Sequence, residues 1–447
     1  MRKRRNKNKR ILVTIITLLL LVLAAELIFI ENIGGLIGKD PANTGGTTVS
    51  GGSKSSNSGT GNGEGGIQPG DSSKTSDSTA SVDPVQAQID QMSLEEKVGQ
   101  LVIVGVDGYQ NDGNSIQFMD QYHVGGFILF KRNIQDSTQM LKLVNSLKET
   151  NAAGKNIPLF LSIDEEGGRV SRMPDEFLKF PSNKAIGKRN DSDFSYEAGG
   201  ILGKELNAFG LNMDFAPVLD INSNPKNPVI GDRSFGTTAE PVGKLGIATM
   251  KGIQSQNVIS VVKHFPGHGD TSVDSHVGLP KVNHDVKRLE SFELEPFAAA
   301  IEDGADVVMV AHILLPKLDD QNPASFSRYI ISDLLRTRMS FSGVVITDDF
   351  TMGAIEKNYD MGKAAVKSIL AGGDIVLVCH EFEKQKTVIE ALLEAARSGV
   401  LPMERIDESV HRILNLKRKY SLSDETVSVP VDSSGINGEI KALLNIK

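Results

Sequence analysis

Eight short apolar segments recur along residues 83–420, separated by longer segments with helical periodicity. The apolar segments are rich in Val and Ile and nearly continuous, which indicates strands buried on both faces of a parallel sheet. They lie at residues 101–106, 124–130, 157–163, 213–219, 258–264, 306–312, 343–348 and 374–379. Eight such units predict a single-domain α/β fold, a (β/α)8 TIM barrel, rather than an open sheet.

The segments between the apolar runs predict the outer helices. Their periodicity places helices at residues 135–150, 195–209, 240–256, 286–303, 361–371, 382–398 and 403–418. A capping box, in which Ser93 caps the first turn and Glu96 reaches back to it, predicts a helix start before the barrel. Residues 421–447 are predicted to be a less ordered C-terminal tail with one short helix.

The first 30 residues predict a membrane anchor. Residues 1–10 carry seven basic side chains and no acidic one, and residues 11–30 form an apolar run interrupted by two threonines and Glu26. At 1.5 Å rise per residue this run spans about 30 Å, the thickness of the hydrocarbon layer. The preceding basic residues keep the N-terminus in the cytoplasm. We expect an uncleaved single-pass anchor with the remaining chain outside the cell; a cleaved signal peptide and secretion are the alternative.

Composition constrains the rest of the chain. Most of residues 41–82 are Gly, Ser or Thr and none is aromatic, so we expect residues 31–82 to be a disordered linker. Seven of the 48 basic residues precede residue 11, whereas all 56 acidic residues follow it. Such an acidic body is a poor nucleic-acid binder, because phosphates would be repelled. The single Cys379 excludes an intramolecular disulfide framework and a cysteine-rich zinc site.

The densest group of reactive side chains is KHFPGHGDTSVDSH at residues 263–276. Asp274 lies two residues before His276, and a carboxylate at that spacing can orient an imidazole and stabilise its protonated form, as a general acid requires. A metal site and a purely structural loop are the other interpretations. We expect no metal, because Lys263 would repel a cation and the glycines indicate a mobile loop.

Acidic and basic side chains also follow other predicted strands. Asp348 ends the seventh strand; because side chains alternate along a strand, we expect Asp348 to face the barrel axis and Asp349 to turn outward or cap the next helix. Asp164 follows the third strand, and Arg233 lies in the loop after the fourth. Taken alone, an Asp at a strand end is more often a helix cap than a catalyst, and a single charged side chain after a strand more often forms an internal ion pair. Together they lie at the carboxyl ends of the strands, where such barrels form active sites.

The segment 263–280, KHFPGHGDTSVDSHVGLP, resembles glycoside hydrolase family 3, and specifically its bacterial exo-β-N-acetylglucosaminidases. IDEEGGRV at 163–170, GDRSFG at 231–236 and TDDFTM at 347–352 extend the resemblance over about residues 85–420. It implies a retaining glycosidase without a cofactor, in which Asp348 is the nucleophile, His276 the acid/base and Asp274 its partner. It further implies that the terminal sugar is bound by Asp164, Arg172, Arg233, Lys263 and His264, with Arg169 as an additional candidate.

With the predicted anchor, the resemblance implies a surface enzyme of cell-wall turnover that removes terminal β-linked N-acetylglucosamine from peptidoglycan fragments. A β-glucosidase, a phosphorylase on the same scaffold and a non-catalytic wall-binding protein are the alternatives. Substrate assistance by the acetamido group is the alternative chemistry. Many relatives carry a second α/β domain after the barrel; too few residues follow residue 420 for one, so we expect all catalytic groups to come from the barrel.

Overall fold

The structure, a computed structural model, describes residues 83–446. Its eight strands pair in parallel and in chain order, and β8 closes on β1 to form a barrel. The strands are β1 Val102–Gly105, β2 Gly126–Leu129, β3 Phe160–Ile163, β4 Met213–Asp214, β5 Ile259–Phe265, β6 Val307–Val310, β7 Val344–Asp349 and β8 Ile375–Val378. The predicted (β/α)8 fold is confirmed.

The α-helices surround the barrel, and those predicted from periodicity begin within about three residues of the predicted positions, whereas the helices at 84–89, 113–120, 183–189 and 353–356 were not predicted. They are α1 Pro84–Ile89, α2 Leu94–Gln100, α3 Gly113–Asp120, α4 Ser137–Ala153, α5 Asn183–Arg189, α6 Ser192–Ala208, α7 Ala239–Gln254, α8 Val286–Arg288, α9 Glu295–Glu302, α10 Gly353–Glu356, α11 Met361–Leu370, α12 Phe382–Arg397, α13 Met403–Lys419 and α14 Ser433–Leu444. The capping box at Ser93 and Glu96 is present at the start of α2.

Two parts of the helical layer differ from the sequence prediction. The single helix expected over 286–303 is divided by a π-helix, Leu289–Glu293, and α9 starts anew with Pro296 in its first turn. Proline fits in a first turn because the amide hydrogens of that turn have no acceptor within the helix. In the middle of a continuing helix the missing amide hydrogen would cost a hydrogen bond. A second π-helix, Tyr329–Arg338, precedes β7 and was not predicted.

The fourth strand is much shorter than its apolar run at 213–219. Only Met213 and Asp214 pair regularly with β5, followed by a single bridge between Val218 and Lys263. Pro217 interrupts the pairing because it has no amide hydrogen to donate. The chain after β4 therefore leaves the barrel early and contributes loop residues to its carboxyl end.

The predicted anchor at residues 11–30 and linker at residues 31–82 lie outside the described residues. Between residues 83 and 446, no helix combines the length and apolar character needed to span a membrane. In the C-terminal tail, α14 provides the predicted short helix, and Lys204 of α6 pairs with Glu439 of α14 at 2.6 Å. The tail is thus part of the outer helical layer.

Candidate active site

A cavity of about 180 Å³ opens at the carboxyl ends of the strands. Seven of the eight side chains that the sequence assigned to the site line it: Asp164, Arg172, Arg233, Lys263, His264, His276 and Asp348. The eighth, Asp274, contacts His276 directly. The structure thus brings together side chains from four different strand–loop segments, those of β3, β4, β5 and β7, while their catalytic and binding roles stay predictions.

Four charged side chains form a compact network on one wall of the cavity. Lys263 Nζ lies 2.7 Å from Asp164 Oδ1 and 2.7 Å from Glu166 Oε1. Arg233 donates two hydrogen bonds to Glu166, at 2.7 and 2.8 Å. Although burial opposes ionisation of Glu166, the Arg233 and Lys263 cations lower the pKa of its carboxyl. The two cations balance the two carboxylates, so the network tolerates burial while presenting polar atoms to a ligand.

His264 is held between this network and a buried carboxylate. Its Nδ1 donates to Asp220 Oδ2 at 2.6 Å, and Arg233 Nη2 lies 3.3 Å from its Nε2. Because the carboxylate only accepts and the guanidinium only donates, these contacts place the ring proton on Nδ1. Asp220 Oδ1 also accepts the amide of His268 at 2.6 Å. Asp220 therefore fixes both the ring orientation of His264 and the start of the following loop.

Both acids at the end of β7 line the cavity, contrary to the expectation that Asp349 turns outward. The register between β7 and β8 shifts between Ile346 and Asp349, which breaks the strict alternation of a regular strand. The Asp349 carboxylate accepts the amides of Thr351 and Cys379, each at 2.9 Å. Asp349 thus joins the end of β7 to β8, and Asp348 is the carboxylate available to a ligand.

Nearby histidines favour the ionised form of Asp348. Burial would raise the pKa of this carboxyl, but His312, His264 and His276 together with the Asp349 amide lower it. The amide of Asp349 donates to Asp348 Oδ1 at 2.8 Å. The side chain is therefore an anion at neutral pH, as a nucleophile requires.

Asp274 and His276 form the pair that their spacing predicts. Asp274 Oδ1 accepts both the His276 amide, at 2.9 Å, and His276 Nδ1, at 2.8 Å. Although partial burial opposes it, these hydrogen bonds lower the pKa of Asp274. The ionised Asp274 orients the ring so that Nε2 is the atom available for proton transfer.

The two arginines of the segment after β3 have different environments. Arg172 lines the cavity, and its Nε is buried without a hydrogen-bond partner among the described residues. Arg169 instead pairs with Asp232 at 2.9 Å and donates to the carbonyl of Ile230 at 3.1 Å. Arg172 is therefore placed to bind a ligand, whereas Arg169 holds the loop that carries Arg233.

Three buried carboxyl groups, Glu165, Glu205 and Asp214, support this segment and are called the carboxyl cluster below. Glu165 accepts the amide of Arg172 at 2.6 Å, and Asp214 accepts the amide of Glu165 at 2.9 Å. Burial raises the pKa of Glu165 to about 7. Burial and the neighbouring carboxyls raise the pKa values of Glu205 and Asp214 well above their usual range. In the folded chain these three carboxyls therefore keep their protons at pH values at which the same groups in the unfolded chain are ionised.

The carboxyl cluster predicts that stability falls as pH rises. Carboxyls in an unfolded chain titrate at about pH 4. The protonated cluster therefore contributes its full stabilisation of the folded state below that pH, and this stabilisation is lost as pH rises through the folded pKa, about 7 for Glu165. We expect Glu205→Gln to raise the melting temperature at pH 8.5 by about 2–4 °C or more, with a smaller change at pH 5. Glu197→Gln, on the exposed side of α6, is the control. Equal shifts at both pH values would contradict the assignment.

The histidines of residues 263–276 do not form a metal-binding group in the structure. Across residues 83–446, no three or more His, Cys, Asp or Glu side chains are arranged to hold a metal ion. His264, His268 and His276 each contact a carboxylate or hydroxyl oxygen instead. Their arrangement accordingly fits proton transfer and hydrogen bonding.

Comparison with known proteins identifies relatives of this chain. The family model for the glycosyl hydrolase family 3 N-terminal domain matches residues 93–416. A β-hexosaminidase A of Pseudoalteromonas piscicida is 36% identical over 343 residues, which cover 71% of this chain but only 57% of that protein. A β-hexosaminidase of Methylobacillus flagellatus is 34% identical over 298 residues, covering 65% of this chain and 83% of that protein.

A solved structure gives the same relationship in three dimensions. The glycoside hydrolase family 3 β-N-acetylglucosaminidase from Paenibacillus sp. FPU-7 superposes with a TM-score of 0.76 at 43% sequence identity. The match covers 79% of this chain and 68% of that chain. The similarity thus extends over most of this chain.

Proposed function

The chain belongs to glycosyl hydrolase family 3, a family of glycoside hydrolases, and from that premise we propose that it is a retaining exo-β-N-acetylhexosaminidase. It removes terminal, non-reducing β-linked N-acetylglucosamine. The observation that carries the proposal is one cavity lined by both the ionised Asp348 and the imidazole of His276. The β-hexosaminidase relatives support the choice of sugar.

The first step forms a covalent glycosyl-enzyme intermediate. An Asp348 carboxylate oxygen attacks the anomeric carbon while the bond from that carbon to the leaving oxygen breaks. His276 donates its Nε2 proton to the departing oxygen, and the ionised Asp274 stabilises the imidazolium beforehand. In the second step His276 accepts a proton from water, which attacks the anomeric carbon and releases Asp348.

The charged network binds the terminal sugar. Asp164 accepts hydrogen bonds from sugar hydroxyls, and Arg172, Arg233, Lys263 and His264 complete the polar lining. The Lys263 side chain is only 2% exposed, so its position is set by its two carboxylate partners before a ligand arrives. The cavity volume of about 180 Å³ supports binding of a terminal sugar in this pocket.

The substrate is a peptidoglycan fragment, and the enzyme acts outside the membrane that anchors it. The apolar run at residues 11–30 and the basic residues before it support the anchor. A flexible linker with the composition of residues 41–82 spans about 35 Å on average, enough to carry the barrel from the membrane towards the wall. A muropeptide that ends in N-acetylglucosamine is therefore the proposed partner.

A substrate panel on the full-length chain tests the activity. We expect turnover of nitrophenyl β-N-acetylglucosaminide to exceed that of nitrophenyl β-glucoside by at least about 100-fold, because the glucoside lacks the acetamido group and leaves its binding partners in the site unpaired. Added phosphate should not raise the rate. Preference for the glucoside identifies a β-glucosidase, and release of a sugar phosphate identifies a phosphorylase. Binding without turnover supports a wall-binding protein.

A further inference from the structure

The segment that carries the proposed acid/base, residues 274–277, is attached to the barrel from two sides and is called the acid/base segment below. The His276 side chain is 64% exposed, whereas the neighbouring Ser275 is 1% exposed. A short, exposed loop would otherwise leave the proton donor poorly positioned. The contacts of the buried neighbour therefore determine where His276 stands.

The first attachment is a hydrogen bond between Ser275 and His268. Thr271 donates its hydroxyl hydrogen to the His268 carbonyl at 3.0 Å, so its oxygen accepts the His268 Nδ1 proton at 2.8 Å. Burial lowers the pKa of His268 to about 4, which keeps the ring neutral and makes Nε2 an acceptor. Ser275 then donates its hydroxyl to His268 Nε2 at 3.0 Å.

The second attachment joins the acid/base segment to the residues that follow Asp348. The amides of Gly353 and Ala354 donate to the carbonyls of His276 and Ser275, at 3.2 and 3.0 Å. Lys357 Nζ donates to the carbonyl of Val277 at 2.9 Å. A β-carbon on Gly353 would lie 2.7 Å from the His276 carbonyl oxygen, which is closer than contacts of real β-carbons. Glycine at 353 is thus required for this approach.

We propose that His268, Ser275 and Gly353 are positioning residues that dock the acid/base segment onto the segment following β7. This docking fixes the position of the proton donor relative to the nucleophile. The inference rests on the proposed function, because it assigns the docking to His276 as proton donor and Asp348 as nucleophile. Loosening the dock leaves Asp348 and the charged network in place. The loss of rate should therefore depend on how much the leaving group needs a proton.

The test compares kcat/KM for two substrates of the full-length enzyme, because this constant reports the steps up to departure of the leaving group. Chitobiose, N-acetylglucosamine β-linked to a second one, has a leaving group that must be protonated; dinitrophenyl β-N-acetylglucosaminide does not. We expect Ser275→Ala and Gly353→Ala to lose about 10- to 100-fold on chitobiose, a part of the ~10²–10⁴ that general acid catalysis supplies. On the dinitrophenyl substrate we expect less than about 3-fold.

Lys357→Met provides a variant whose folding is not at risk, because Lys357 is exposed. We expect it to lose several-fold on chitobiose only, and Lys363→Met, an exposed lysine on the next helix, to lose nothing. Equal losses on both substrates, or no loss in any docking variant of an active enzyme, overturn the docking proposal alone. A wild-type enzyme that cleaves neither substrate overturns the proposed function and the docking with it.

Discussion

The Asp348→Asn variant should lose hydrolysis of nitrophenyl β-N-acetylglucosaminide almost completely, with kcat falling by at least about 10⁴-fold. The amide is neutral and a poor nucleophile, so the glycosyl-enzyme bond does not form. The substitution nearly preserves the shape of a side chain that accepts only a backbone amide hydrogen bond and is otherwise free for the ligand. Steady-state assays with purified protein measure the loss, and circular dichroism checks that the barrel remains folded.

Asp232→Asn is the matched control for this loss. Asp232 pairs with Arg169 outside the cavity, so we expect its amide variant to retain activity within about 10-fold. If Asp348→Asn kept more than a few per cent of wild-type activity, Asp348 would not be the nucleophile. If activity and the folded signal were lost together, labelling of the wild-type enzyme with a slowly hydrolysed sugar analogue would identify the nucleophile instead.

The second large effect is expected for His276→Ala. Removing a general acid should lower kcat/KM by about 10²–10⁴-fold on a substrate with an alkyl leaving group, and much less on the dinitrophenyl substrate. The contact with Asp274 supports this role, since the carboxylate holds the ring with Nε2 free for transfer. The ratio of the two losses, rather than either loss alone, measures the proton donation.

His411→Ala is the control for general effects of removing a histidine. His411 pairs with Asp83 at 2.7 Å and lies on the outer helix α13, so we expect no leaving-group dependence. Equal losses of His276→Ala on both substrates would remove His276 from the acid/base role. The docking variants should show the same pattern at smaller amplitude, because they displace the imidazole without deleting it.

Local sequence patterns predict the barrel well because each strand is recognisable by itself. The eight apolar runs carry their own signal, and all eight strands lie within or beside them. The prediction fails at β4, whose regular pairing ends after Asp214, although Pro217 within the apolar run is a local signal for that end. The interruption of the helix at 286–303 had a local signal in Pro296, which marks a new helix start.

The sequence predicted some residues of the site and missed others. Side chains at strand ends were found because a barrel gathers such ends on one face. Glu166, Asp220 and His268 were missed as site residues, although Asp220 follows an apolar run and has the same signal as Asp348. The importance of Glu166 and Asp220 depends on pairing with residues distant in sequence, Glu166 with Arg233 and Asp220 with His264. Such partners can be assigned only from three-dimensional proximity.

The orientation of Asp349 shows a limit of reasoning from strand alternation. A regular strand would point Asp348 and Asp349 to opposite sides. The register shift at the end of β7 places both at the cavity, and only the hydrogen bonds distinguish their roles. Within residues 83–446, Asp349 accepts three protein donors, whereas Asp348 accepts only the Asp349 amide and remains available to a ligand. The sequence contains no signal for that shift.

Mass spectrometry of a trapped glycosyl-enzyme tests the central claim most directly. A slowly hydrolysed 5-fluoro-N-acetylglucosaminyl fluoride, whose fluoride leaves without protonation, should add one fluorinated sugar to the wild-type enzyme. Peptide mapping should place that sugar on Asp348, and Asp348→Asn should not be labelled. An adduct on any other residue would contradict the assignment of Asp348. Turnover of the analogue with no adduct at all would indicate substrate assistance instead of a covalent intermediate.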